Sequence, residues 1–198
     1  MVEGDSIQAL LTEGAFPPRA ALEAAAAVCD ALSVHTPVPG GRPLAAASVA
    51  LSTTGAARLS DVDAADSLAV GTLLAHMLLG ARSTAADTDA LTAALDTALQ
   101  GDEIERGWRR KLVALVRACR SPDPRSRPPI LRVQRRCAEL AAAAPGPPLR
   151  TFLKRRADSS ASWMDLPGAA EQDSQLSELI SASIPTLATP SDLATLPP

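Results

Sequence analysis

Apolar residues recur at helical spacing through most of the chain, and at strand spacing only within residues 49–60. Ser6–Glu13 reads as a short helix stopped by Gly14. Pro17-Pro18 opens a second helix, since Pro is tolerated in a first helical turn. Over residues 19–34 it places Leu22, Ala25, Ala26, Cys29 and Leu32 on one face, and the stretch from Thr36 to Gly41 breaks it. Val49–Ser52 and Ala57–Ser60 read as two short strands about Thr53, Thr54 and Gly55. Residues 66–79, DSLAVGTLLAHMLL, are apolar nearly all round, a pattern that belongs in the middle of a domain. Gly80 ends that helix. Asp87–Leu99 follows with Leu91, Ala94, Leu95 and Ala98 inward, then Glu105–Arg120 with Trp108, Leu112, Leu115, Val116 and Cys119 inward. Ser121 to Pro129 is a rigid, Pro-rich turn, and Ile130–Ala143 reads as the last core helix, through Ile130, Val133, Cys137 and Leu140.

From Ala144 the pattern fades. Residues 144–156 read as a basic linker and residues 157–198 as an acidic tail, mostly disordered by composition. Within the tail, residues 173–184 place Leu176, Leu179, Ile180 and Ile184 on one face. A helix that short is not stable alone in water, so these four are candidates for binding a groove elsewhere.

Composition refines the picture. Ala and Leu supply most of the apolar content, against two Phe, two Trp and no Tyr, so the core is helix-rich and shallow. Cys29, Cys119 and Cys137 are odd in number and lack C-x-x-C spacing, which argues against zinc and thiol-redox chemistry. Each falls on an apolar helical position, where a free Cys is a small hydrophobe. A cytoplasmic location fits, with no secretory signal and no apolar run long enough to span a membrane.

Charge is unevenly spread. Residues 106–156 carry 15 Arg or Lys against Asp123 and Glu139, while residues 157–198 carry six acids and no base. Arg109, Arg110, Arg117, Arg132, Arg135 and Arg136 are assigned to outward faces as a candidate basic surface. A polyanion or nucleic acid could be held there by counterion release. That reading is disfavoured because Trp108 and Phe152 are the only aromatics in the block for base stacking.

Five motifs in order carry a resemblance to a known family. Phe16-Pro-Pro-Arg-Ala-Ala-Leu through His35 resembles the family's L-P-P helix ending in His. Gly41-Arg-Pro-Leu-Ala-Ala-Ala-Ser-Val-Ala-Leu51 aligns with the catalytic loop H-R-D-L-K-P-x-N-V-L-L, and Asp61-Val62-Asp63 with D-F-G. Asp66-Ser-Leu-Ala-Val-Gly71 with Leu79-Gly-Ala-Arg82 resembles D-x-x-x-x-G…T-G-R, and Cys119-Arg-Ser-Pro-Asp-Pro-Arg-Ser-Arg-Pro128 resembles the D-P-x-x-R-P stop before the last helix. Together they resemble the C-terminal lobe of a bacterial, eukaryotic-like Ser/Thr protein kinase over about Ser6 to Leu140. The fold class expected is therefore mainly α, a kinase C-lobe-like helical domain over residues 1–143 with one small two-stranded hairpin.

The resemblance also implies that the chemistry is gone. Pro43 stands at the catalytic Asp position, Ala45 at the loop Lys and Ser48 at the metal-binding Asn. Asp61 alone is left as a vestigial metal ligand, and one carboxylate makes a poor Mg²⁺ site. Four residues separate Asp61 from Asp66, where the family carries its activation segment, and no N-terminal lobe is expected before Ser6. Arg42 and Arg127 have thereby lost the phosphoresidue and the A-P-E Glu that they would pair with. Asp66 and Arg127 are expected to be structural, Asp66 capping its own helix or accepting backbone N–H groups near Arg42. The expected function is a non-enzymatic pseudokinase-like module that binds a protein partner, with no cofactor. The alternatives are the C-lobe half of a split kinase and a polyanion binder through residues 106–156.

Overall fold

The computed structural model describes residues 4–63, 65–80, 87–100 and 105–164, with side chains as far as 159. Ser6 opens helix α1 (Ile7–Thr12), its hydroxyl accepting the Ala9 N–H at 3.1 Å. Before it, Asp5–Ser6 forms a two-residue strand, β1. Helix α2 (Pro18–Val34) begins on Pro17-Pro18 as the pattern predicts. It buries Leu22, Ala25 and Cys29, and also Ala20, Ala21, Ala24 and Val28, because small side chains let neighbours close on several sides.

Strands β2 (Val49–Leu51) and β3 (Ala57–Leu59) form the expected hairpin, each one residue shorter than its pattern. The Ser52 hydroxyl accepts the Ala56 N–H at 3.1 Å, and Gly55 takes φ 85°, so Ser52 belongs to the turn. The sheet has three strands, not two: β1 pairs antiparallel on β2, in the order β1-β2-β3. Gly4 permits this, since a Cβ there would lie 2.6 Å from the Leu51 carbonyl oxygen.

Helix α3 (Ser67–Leu79) buries nine of its thirteen residues, among them Val70, Leu73, Leu74, Ala75 and Met77, which places it at the centre. It packs against α2, α4 (Thr88–Ala98) and α5 (Arg106–Cys119). The Phe16 N–H donates to the Met77 carbonyl at 2.7 Å, tying the entry of α2 to the end of α3. Helix α5 buries Trp108, Leu112, Leu115, Val116 and Cys119, all five inward positions of the pattern. Helix α6 (Ile130–Ala142) buries Val133, Cys137, Leu140 and Ala141, and lies mainly along α2. Trp108 Nε1–H donates to the Leu140 carbonyl at 2.8 Å, so its one polar atom is satisfied inside the core.

Of the segment expected as a basic linker, residues 144–148 are a connection and residues 149–156 instead begin another helix, α7 (Leu149–Met164). Leu149, Phe152 and Leu153 are buried, and the Phe152 ring packs on Phe16 at a centroid distance of 4.8 Å, tilted by 43°. The Leu149 N–H is satisfied by Glu23 of α2 at 2.7 Å. The compact unit therefore runs to Arg155, and residues 156–198 form a second unit. Residues 157–164, expected as tail, are helical, and the stretch 173–184 lies outside the described residues.

Candidate functional site

Residues 38–43 lie against Asp61–Asp63 through main-chain bonds. Arg42 N–H donates to the Asp61 carbonyl at 2.6 Å, Asp63 N–H to the Arg42 carbonyl at 3.1 Å, and Val38 N–H to the Val62 carbonyl at 3.1 Å. Arg42 and Val62 form a parallel β-bridge. His35 Nε2–H, at the end of α2, donates to the same Val62 carbonyl at 2.9 Å. Val62 is fully buried while Asp61, Arg42 and Pro43 face solvent.

Two features of this contact are backbone demands. A Cβ on Gly41 would lie 2.7 Å from the Asp61 carbonyl oxygen and 2.9 Å from the Asp63 nitrogen, so only Gly allows the two segments to meet. Asp61 has φ 54°, the one non-Gly residue of positive φ among the described residues. Asp tolerates that region better than most side chains, at a cost of about 1 kcal/mol.

The residues at the other loop positions are committed locally. Ser48 Oγ donates to the Ala45 carbonyl at 2.9 Å and accepts the Ala45 N–H at 3.0 Å, closing a 3₁₀ turn over Ala46–Ser48. Pro43 and Ala45 offer no side-chain donor or acceptor. Among the described residues no three His, Cys, Asp or Glu gather closely enough to hold a metal ion.

Asp66 and Arg127, 61 residues apart, meet. Asp66 Oδ1 accepts the Ala69 N–H at 3.1 Å and caps α3, while Oδ2 accepts from Arg127 Nη1 at 2.6 Å. Arg127 Nε–H donates to the Ser121 carbonyl at 2.9 Å. One guanidinium thus fastens the turn before α6 to the start of the central helix. Asp123 shapes that turn, accepting Ser126 Oγ–H at 2.8 Å and Arg125 N–H at 3.0 Å. These bonds, aided by the Arg127 charge, hold its carboxyl below the usual range.

The six arginines assigned to a basic surface divide. Arg109 is not outward: its side chain is 17% exposed and pairs with Asp96 at 2.9 Å, because α4 packs beside α5 there. Arg117 is exposed and pairs with Asp89 at 3.1 Å. Arg135 and Arg136 share Glu139 at 3.7 and 2.7 Å. Arg110 and Arg132 are exposed and have no acid partner among the described residues. Leu176, Leu179, Ile180 and Ile184 lie outside the described residues.

The three cysteines are buried free thiols. Burial, reinforced by their mutual proximity, pushes Cys29 up to about 12 and raises Cys137; burial and Asp66 push Cys119 up to about 11. His76 on α3 titrates below its ordinary value, because burial and then the Arg120 charge disfavour its cation.

Sequence reasoning missed Gly41 and the bond from His35 to Val62. The Gly40-Gly41 pair after two prolines was the available signal for a close approach. No family model matches the chain, and neither does any curated protein. Among the described residues, no helix is long and apolar enough to cross a membrane.

Proposed function

We propose that the chain is a catalytically inactive module, similar to a kinase C-lobe, that works by binding a protein partner. One observation carries the reading: the segment aligned with the family's catalytic loop and the segment aligned with its D-F-G are bridged through Arg42 and Val62. The resemblance to the family names both segments, and a framework that holds them together is what it implies. The burial of α3 supports it further.

The same place argues for lost catalysis. Phosphoryl transfer depends on positioned groups that orient the hydroxyl and neutralise developing charge. Here Pro43 supplies no side-chain acceptor, Ala45 no cation, and the Ser48 hydroxyl is turned into its own loop. A retained scaffold with these substitutions is suited to presenting surface.

The experiment is affinity capture of the full chain from its own host, quantified against the bait. One partner at fixed stoichiometry after stringent washing is the expected result. Recovery of the bait alone would reject the reading.

A further inference from the structure

A groove of about 780 Å³ runs between α5 and α6, closed at one end by the turn 125–129. Its walls are helical faces: Lys111, Ala114, Leu115 and Ala118 at successive turns of α5, and Arg132, Arg136, Glu139 and Leu140 along α6, with Ala143 just past its end. From Arg132 to Ala143 the wall is about 16 Å long at 1.5 Å per residue, close to three helical turns. Exposed Ala114, Ala118 and Ala143 leave room for close approach, with Leu115 and Leu140 behind them.

The rim is cationic. Lys111, Arg125, Arg127, Arg132 and Arg136 line the groove against the single acid Glu139. Arg127 is committed to Asp66 and Arg136 to Glu139. Lys111, Arg125 and Arg132 are exposed and have no acid partner among the described residues. Three free cations thus stand on the two walls and the closed end of a channel with a largely apolar floor.

We propose that this groove docks an acidic amphipathic helix of about three turns from a partner protein, its leucines toward the alanine floor and its carboxylates toward Lys111, Arg125 and Arg132. The proposal rests on the reading of the chain as a protein-binding module and names the chemistry of the partner. A nucleic acid fits less well. Trp108 and Phe152, the aromatics that could stack on bases, are both buried, Trp108 with its N–H spent on Leu140.

The test is fluorescence polarisation with the full chain and a labelled synthetic peptide of about 14 residues, rich in Glu, with Leu at i, i+3, i+4 and i+7. Binding should weaken with salt, by at least about tenfold in Lys111→Glu/Arg132→Glu, and by less than about twofold in Arg110→Glu, which lies outside the groove. Ala118→Phe fills the floor without changing charge and should cost at least about fivefold, with circular dichroism confirming the fold of each variant. Equal binding of a scrambled peptide whose leucines leave one face would overturn the proposal. So would an oligodeoxythymidine of equal charge that binds more tightly and ignores Ala118→Phe. Capture from the host separates the two levels. A partner retained equally by Lys111→Glu/Arg132→Glu defeats the groove and spares the module, whereas no partner for either chain defeats both.

Discussion

Gly71→Ala is a substitution for which helix propensity and packing give opposite signs. Gly71 sits inside α3 where α5 crosses it, and a Cβ there would lie 2.5 Å from the Cβ of Cys119. Both atoms are fixed to helical backbone, so neither can rotate away. Ordinary carbon contacts lie near 3.5–4 Å, so the helices would have to part by about 1 Å. Overpacking costs about 1–3 kcal/mol, and a contact this rigid belongs at the upper end. Replacing a mid-helix Gly with Ala returns about 1 kcal/mol. The net is a loss of about 2 kcal/mol, or a fall in Tm of about 4–8 °C for a domain this size. Thermal melts followed by circular dichroism, with urea unfolding as a second measure, read it. Cys119→Ala keeps its Cβ and should not relieve the strain, whereas Cys119→Gly should recover part of it in the Gly71→Ala background. A Tm raised by Gly71→Ala would refute the close crossing of α3 and α5.

Three further outcomes are expected. Asp66→Asn removes the charge facing Arg127 but keeps the α3 cap, while Asp66→Ala removes both; the losses should be about 1 and 2 kcal/mol, with urea unfolding and a double-mutant cycle against Arg127→Ala isolating the pair. Asp61→Gly relieves the positive φ and should raise Tm by about 2–4 °C, for about 1 kcal/mol gained; a fall in Tm would mean that the carboxylate holds something in place. The pH profile should decline on both sides. The raised thiols stay protonated when folded but ionise when unfolded, so stability is lost as pH climbs above the unfolded value of 9.0. The lowered His76 binds its proton more readily when unfolded, so stability falls as pH drops below 6.5, and His76→Gln should flatten that limb.

Most helices were legible because each has one amphipathic face or, in α3, none. The five inward residues of α5 follow from spacing alone, since a helix buried on one side must repeat its apolar positions every three to four residues. Strand β1 was not legible: two polar residues carry no period, and their pairing depends on Gly4 approaching Leu51. Helix α7 was hidden by charge. Leu149, Phe152 and Leu153 give only one turn of pattern among four Arg or Lys, although Pro147-Pro148 repeats the start signal of α2. The Asp66–Arg127 contact was half-legible, both residues being named as structural without their pairing. Arg109 was placed outward because helical phase alone cannot see Asp96 on a neighbouring helix.

The central claim is that a framework for phosphate chemistry has outlived the groups that performed it. It is tested most directly on the complex captured from the host, by titrating Mg²⁺-ATP and following transfer of a labelled γ-phosphate. The account expects neither saturable nucleotide binding nor label on any protein, with Asp61→Ala indistinguishable from the unaltered chain. Nucleotide binding that saturates and is lost in Asp61→Ala, or label that appears only when the chain is present, would contradict it.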